Sequence, residues 1–168
     1  LRSTQAHARI RGIDVSRALE LPGVMAVVTG KDFPEILPGA FAPQGELEID
    51  INYLGRLVMA REKVLFHGHP VAAVAAVSPE VAEEAVGLIE VEYEPLPPVL
   101  DVLEAMKPEA PLLHENLRTR SLSGVSERPS NVSLVVEMDR GDVGAGFQQA
   151  DIVLERTYRT QMVHQGYI

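Results

Sequence analysis

The hydrophobic pattern is strongest between Lys63 and Pro98. Val71–Val77 is an unbroken apolar run, and a strand buried on both faces reads that way because neither side of its pleat meets water. It comes after a shorter run, Val64-Leu65-Phe66, from which it is separated by His67-Gly68-His69-Pro70. Ser78-Pro79-Glu80 then predicts a helix start: the serine hydroxyl can accept an orphan amide, and proline at the first helical position has no amide to leave unpaired. Val81, Ala82, Ala85, Val86 and Ile89 recur at helical spacing and give Pro79–Leu88 an apolar stripe. Ile89–Glu94 alternates as a half-exposed strand does, and Pro95, Pro97 and Pro98 stop it.

The same logic extends outward. Ala6–Arg11 has period two, predicting Ala6, Ala8 and Ile10 on one face and His7, Arg9 and Arg11 on the other. Asp14 is placed to cap a short helix over Val15–Glu20, and Val24–Thr29 is a second buried-strand run. Lys31–Ile51, with its prolines and glycines, reads as loop, and Tyr53–Met59 as a weak strand or turn. Asp101 and Glu104 have capping-box spacing ahead of a short helix. Leu117–Ser130 is polar and reads as an exposed, mobile linker. Beyond it, Val132–Met138 predicts a strand, Asp142 caps a weak helix over Val143–Gln149, and Asp151–Gln161 alternates as a strand. The fold class is α+β, with mixed sheets and few short helices. The chain divides into three parts: residues 1–116, a linker over residues 117–130, and the start of a further region over residues 131–168.

Composition narrows the function. The chain has 168 residues, no run long and apolar enough for a membrane span, and no signal-peptide pattern. Its formal charge of −9 argues against nucleic acid as a partner. Lys and Arg are absent between Val64 and Met106, where eight acids fall, whereas the first 31 residues are net basic. That acidic tract reads as a solvated face or as a patch meeting a basic surface in a larger assembly. Zero cysteine removes thiolate metal sites and cysteine nucleophiles from this chain. Leu1-Arg2-Ser3 and Gly166-Tyr167-Ile168 read as ends cut from a longer protein.

Each candidate site has a plainer reading beside it. His67 and His69, two apart, could share a metal, but no carboxylate stands at ligand spacing and a structural turn fits better. His7, Arg9 and Arg11 could form an anion-binding face or simply a solvated strand edge. Glu80, Glu83 and Glu84 are surface-helix residues by position, and Asn131-Val132-Ser133 matches a glycosylation acceptor without a secretory signal to support it. Gly144-Ala145-Gly146 lacks the rest of a phosphate loop. No residue is assigned a catalytic, cofactor-binding or metal-binding role.

Several phrases, in order, resemble the molybdenum hydroxylase large subunits of the xanthine dehydrogenase, aldehyde oxidase and carbon monoxide dehydrogenase family. They are Ala6-His7-Ala8-Arg9-Ile10, Leu21-Pro22-Gly23-Val24, Gly68-His69-Pro70-Val71 and Val91-Glu92-Tyr93-Glu94-Pro95-Leu96-Pro97. Pro111-Leu112-Leu113-His114-Glu115, Gly141-Asp142-Val143 and His164-Gln165-Gly166-Tyr167-Ile168 continue the series. The resemblance implies an α/β hammerhead-like domain lying ahead of molybdopterin-binding domains. It implies a cytoplasmic parent that oxidises aldehydes, N-heterocycles or carbon monoxide with water oxygen at a molybdenum–molybdopterin centre. It also implies [2Fe–2S] clusters and FAD on partner domains or subunits. The family's catalytic residues map onto no position here, so the expectation is a structural, non-catalytic fragment with no cofactor in this chain. The other reading is a stand-alone α+β binding or assembly module with no redox role.

Overall fold

The computed structural model describes residues 1–34, 41–44, 47–138 and 140–161, with the backbone alone for residues 41–44, 47–50 and Asn52. Two small antiparallel sheets form its centre. In the first, β1 (Ala8–Asp14) lies between β7 (Glu90–Pro95) and the two-residue β5 (Lys63–Val64). Ala8 stands opposite Val64 on one side and Pro95 on the other, and a bulge between Ile10 and Gly12 shifts the register with β7. In the second, β2 (Val24–Thr29) pairs with β6 (Ala72–Ala76), Thr29 opposite Ala72 and Ala26 opposite Ala75. The strands predicted over Val24–Thr29, Val71–Val77 and Ile89–Tyr93 are all present, within a residue or two at their ends.

Helices α1 (Ser16–Glu20) and α3 (Pro79–Gly87) carry the chain from one sheet to the other, β1 to β2 and β6 to β7. Each offers the core an alanine, Ala18 and Ala85, fully buried with Ala72 and Ile89; Val24, Val27, Val74 and Val91 pack around them. Small side chains at the contact let backbones approach closely, so two short helices close one core. A second cluster, Ala8, Ala60, Val64 and Val71, sits beneath the first sheet with Ile10 and Tyr93 against it.

The caps agree with the sequence. Ser78 Oγ accepts from the Val81 amide with Pro79 at the start of α3, and Asp142 accepts from Ala145 at the start of α5 (Val143–Gln149). Asp101 accepts from the Leu103 and Glu104 amides ahead of α4 (Val102–Ala105), but only this half of the expected capping box forms, and the Glu104 carboxylate pairs with Lys107 instead. Asp14 differs from expectation. Its carboxylate accepts from the Ser16 amide, but Val15 occupies the cap position and no side chain caps α1.

Other expectations are corrected. Residues 31–51 are not wholly loop: Thr29 and Asp32 form a capping box on a single 3-10 turn, Gly30–Asp32, and β3 (Phe41–Gln44) pairs with β4 (Leu47–Asp50). Residues 35–40, 45 and 46, also part of that loop reading, lie outside the described residues. Tyr53–Met59, read as weak strand or turn, lies in helix α2 (Ile51–Val58) except for Met59, and the C-terminal end of the helix is tied down by tertiary contacts. Within Leu117–Ser130, strands β8 (Arg118–Ser121) and β9 (Gly124–Pro129) make a hairpin held by polar groups. Thr119 N donates to Ser126 Oγ at 3.0 Å, and Thr119 Oγ1 to the Val132 carbonyl at 2.8 Å. The strands expected over Val132–Met138 and Asp151–Gln161 do not form; Leu134 makes one isolated bridge to Arg120, and residues 151–161 are exposed without regular structure. Alternation prepares a strand, but a strand needs a neighbour along its length: Val132–Met138 meets β8 only around Arg120, and residues 151–161 pair with no strand among the described residues. Among the described residues no helix is long and apolar enough to cross a membrane.

Candidate functional site

At the turn His67–Pro70 the first residues of the chain, the end of α2 and the segment after β5 meet. His69 N donates to the Phe66 carbonyl, and Gly68 has φ +85°, while no other residue type takes a positive φ in the described chain. That is the third position of a type II turn, which favours glycine. The turn pairs outward with the first residues: Ser3 N donates to His69 O, Gly68 N to Ser3 O, and Val71 N to Leu1 O. On its other side Ala60 N donates to Pro70 O, which binds the end of α2 to the start of β6.

His69 stands at the centre and is fully buried. The Leu65 amide donates to Nδ1 at 3.1 Å, so Nδ1 carries a lone pair and the proton sits on Nε2, which donates to the Arg56 carbonyl at 2.8 Å. Phe66 stacks on the ring, centroids 4.4 Å apart. Burial pushes the His69 pKa below its ordinary value, against the opposing pull of the Arg56 carbonyl. Protonation would set a second N–H against the Leu65 amide. His67, in contrast, is exposed, and both ring nitrogens of His69 are engaged by backbone groups of Leu65 and Arg56.

The basic strand face resolves differently from expectation. His7 precedes β1 and is buried: its Nδ1 donates to the Pro97 carbonyl at 2.7 Å, and its Nε2 has no hydrogen-bond partner among the described residues. Arg9, Arg11 and Arg17 are exposed and paired inside the chain, with Glu115, Glu94 and Glu90 respectively. Part of the acidic tract is thus neutralised by the chain's own N-terminal arginines. Lys63 Nζ, mostly covered, also reaches Glu115 at 2.9 Å. Burial alone would raise the Glu115 pKa, but the Lys63 hydrogen bond and the charges of Lys63 and Arg9 outweigh it, and the carboxyl lies below its usual value. Beside it, His114 meets Tyr53 edge to face at 4.8 Å, and its pKa is lowered by burial and then by Arg56 and Lys63, against Glu115.

Asn131 has a role that sequence reading missed. Its Oδ1 accepts from Leu113 N at 3.0 Å, while Nδ2 donates to the Ala105 and Pro111 carbonyls at 3.1 and 3.0 Å. The amide is spent on a structural clamp between the end of α4 and the loop after it. Glu80, Glu83 and Glu84 are exposed on α3 as expected, and Gly144 and Gly146 lie in α5.

Chemically, these groups position backbone rather than substrate. Among the described residues no group of three or more His, Cys, Asp or Glu side chains could hold a metal ion. One open groove of about 360 Å³ is lined by Gly12, Ile13, Asp14, Glu90, Val91 and Glu92, and its three carboxylates would repel a phosphate-bearing cofactor. A second, of about 350 Å³, is lined by apolar and glycine residues of α5 and the segment after it, among them Phe147 and Leu154. With no thiolate in the chain either, the residues described do not fit an iron–sulfur cluster. What is conspicuous instead is apolar surface: Met25, Val77, Met138, Phe147, Ile152, Leu154 and Tyr158 are each more than half exposed.

Known proteins place the chain. The family model "aldehyde oxidase and xanthine dehydrogenase, a/b hammerhead domain" matches residues 1–97. The carbon monoxide dehydrogenase large chain of Afipia carboxidovorans is 35% identical over 98% of this chain and 20% of its own length. The nicotinate dehydrogenase large molybdopterin subunit of Eubacterium barkeri is 30% identical over 99% of this chain and 34% of its own. Among solved structures, the reconstituted CO dehydrogenase from Oligotropha carboxidovorans superposes with a TM-score of 0.52 at 44% identity, over 66% of this chain and 13% of that one. The chain therefore spans a fifth to a third of the length of these curated relatives. With the split pair of small sheets, the helices between them and a family match over more than half its residues, this chain belongs to the aldehyde oxidase and xanthine dehydrogenase family, through its a/b hammerhead domain.

Proposed function

We propose that this chain is the structural, non-catalytic N-terminal part of the large subunit of a molybdenum hydroxylase, an oxidoreductase acting on aldehydes, N-heterocycles or carbon monoxide. The observation that carries the reading is its alignment, nearly end to end, with a minor share of large subunits that include a carbon monoxide dehydrogenase and a molybdopterin subunit. In this reading residues 1–116 are the hammerhead unit, residues 131–168 begin the molybdopterin-binding region, and residues 117–130 join the two. The molybdenum centre belongs to further domains, with [2Fe–2S] clusters and FAD on partner domains or subunits, in the cytoplasm. No step of the chemistry is assigned to residues of this chain. Its contribution is a stable surface against which the cofactor-bearing domains pack. The run of exposed apolar residues from Leu134 to Tyr158 supports that over a free-standing module, because isolated soluble domains rarely leave so much apolar surface together.

The test compares two purified proteins. The 168-residue chain alone should carry no molybdenum and reduce no dye with aldehyde, purine or carbon monoxide. The longer polypeptide with its partner subunits should carry about one molybdenum per large subunit and reduce dye with one of these substrates. Stoichiometric molybdenum in the short chain, or a longer protein that is inert and free of molybdenum, overturns the proposal.

A further inference from the structure

The runs Val24–Thr29 and Val71–Val77 carry no charge and predict strands covered on both faces, yet the described structure covers only one. Val27, Ala72 and Val74 face α1 and α3 and pack on Ala18 and Ala85. On the opposite face of the β2–β6 sheet, Ala26, Val28, Ala73, Ala75 and Val77 are all exposed, with Met25 beside them at the bulge before Ala26. Met25 and Val77 are 73% and 69% exposed, which marks them as bare rather than half-shielded. Every side chain on that face is apolar. Neither Pro nor Lys guards either strand, as edge strands and exposed sheets usually require.

We infer that this outer face is covered by an uncharged apolar stripe from elsewhere in the same, longer polypeptide. The inference rests on the proposed function, since it needs the additional length that the relatives have beyond the region this chain matches. Area decides against a second copy. Two strands about 5 Å apart and about 20 Å long present roughly 200 Å², whereas a stable pair of proteins buries about 800 Å² on each partner. A patch that small holds an occupant when a tether keeps it at millimolar effective concentration. Its centre of three alanines, Ala26, Ala73 and Ala75, is flat and admits a close approach, with Met25 and Val77 at one end and Val28 at the other. The occupant supplies larger aliphatic side chains to that flat centre and no charge.

The experiment uses the full-length protein with its partners. Ala75→Cys places a thiol at the centre of the face, and Glu83→Cys places one on the outer side of α3. Alkylation by iodoacetamide is monitored peptide by peptide, native and denatured. The expected result is at least tenfold slower reaction of Ala75→Cys in the native protein, unchanged on hundredfold dilution, with Glu83→Cys reacting at nearly the denatured rate. Native reaction of Ala75→Cys as fast as that of Glu83→Cys overturns the inference, and so does protection lost on dilution, which would assign the face to a second copy or a separate partner. If Ala75→Cys does not fold, Met25 in the unsubstituted protein gives the same reading through peroxide oxidation, slow if the face is covered and as fast as in the denatured protein if it is not. Molybdenum content of the same preparation scores the proposed function separately.

Discussion

Replacing His69 by leucine removes a side chain of similar reach and shape but takes away both ring nitrogens. The Leu65 amide loses its acceptor at 3.1 Å and the Arg56 carbonyl its donor at 2.8 Å. Both bonds are partly buried, so each loss is placed near the lower end of the range for an unpaired group, about 1 kcal/mol. Losing the stack on Phe66 adds about 0.5–1.5 kcal/mol. Leucine's apolar transfer offsets part of this, leaving an expected destabilisation of about 2 kcal/mol, roughly a thirtyfold change in the folding constant. His69→Asn, which can return an acceptor near Nδ1, should recover about half. Urea unfolding at pH 7.5 measures all three proteins. The pH dependence has a definite sign. His69 and His114 both lie below their ordinary value of 6.5 when folded, so the unfolded chain binds more protons and stability rises with pH up to about 6.5. Below that it is lost as pH falls through the folded values, and His69→Leu should show a shallower loss over the same window. Wild-type stability in His69→Leu, or a wild-type chain that gains stability on acidification from pH 6.5, would refute the reasoning.

Two further substitutions test other joints. A Cβ on Gly30 would run into the backbone of Ala60 and Arg61, so Gly30→Ala must push two backbones apart; a loss of about 2–3 kcal/mol in urea unfolding is expected, as for overpacked cores, and an unchanged midpoint would contradict the close approach. Asn131→Ala cuts three hydrogen bonds and should cost about 2–3 kcal/mol. Ser133→Ala, which abolishes the same acceptor motif while leaving those bonds intact, should stay within about 0.5 kcal/mol; equal effects of the two would remove the clamp from the account.

Apolar runs and caps are legible in the sequence because they are local. Val24–Thr29, Val71–Val77, Ser78-Pro79 and Asp142 state their structure within a few residues. The features that escape a sequence reading are decided across distance. Period two assigns His7 to the same face as Arg9 and Arg11, but β1 begins at Ala8, and parity has no force before a strand starts. Helix α2 does carry a local signal, Ile51, Leu54, Leu57 and Val58 at helical spacing, but Gly55 interrupts it and Tyr53 packs on His114, sixty-one residues later in the chain. The β8–β9 hairpin is held by Thr119, Ser126 and Ser121 hydroxyls rather than apolar contacts, and polar composition alone reads as linker. Apolar continuity in β2 and β6 signals a demand for cover on two faces, of which the described chain meets one. The roles of His69 and Asn131 are equally non-local, since each bonds backbone groups from other segments.

The contact between Gly30 and Ala60 also bears on how the family can vary in length. The chain leaves the second sheet at Gly30 and returns at Ala60 to the same spot, with Arg61 reaching back to the Phe33 and Pro34 carbonyls. The excursion between them is an insert whose two stems already touch. Lengthening such an insert costs little, since each doubling of a closed loop adds only about 0.6 kcal/mol. The sheets on either side need not register the change. Sequence of different length can therefore be exchanged between these stems while the hammerhead stays as it is, provided that a glycine remains at position 30 to let them meet.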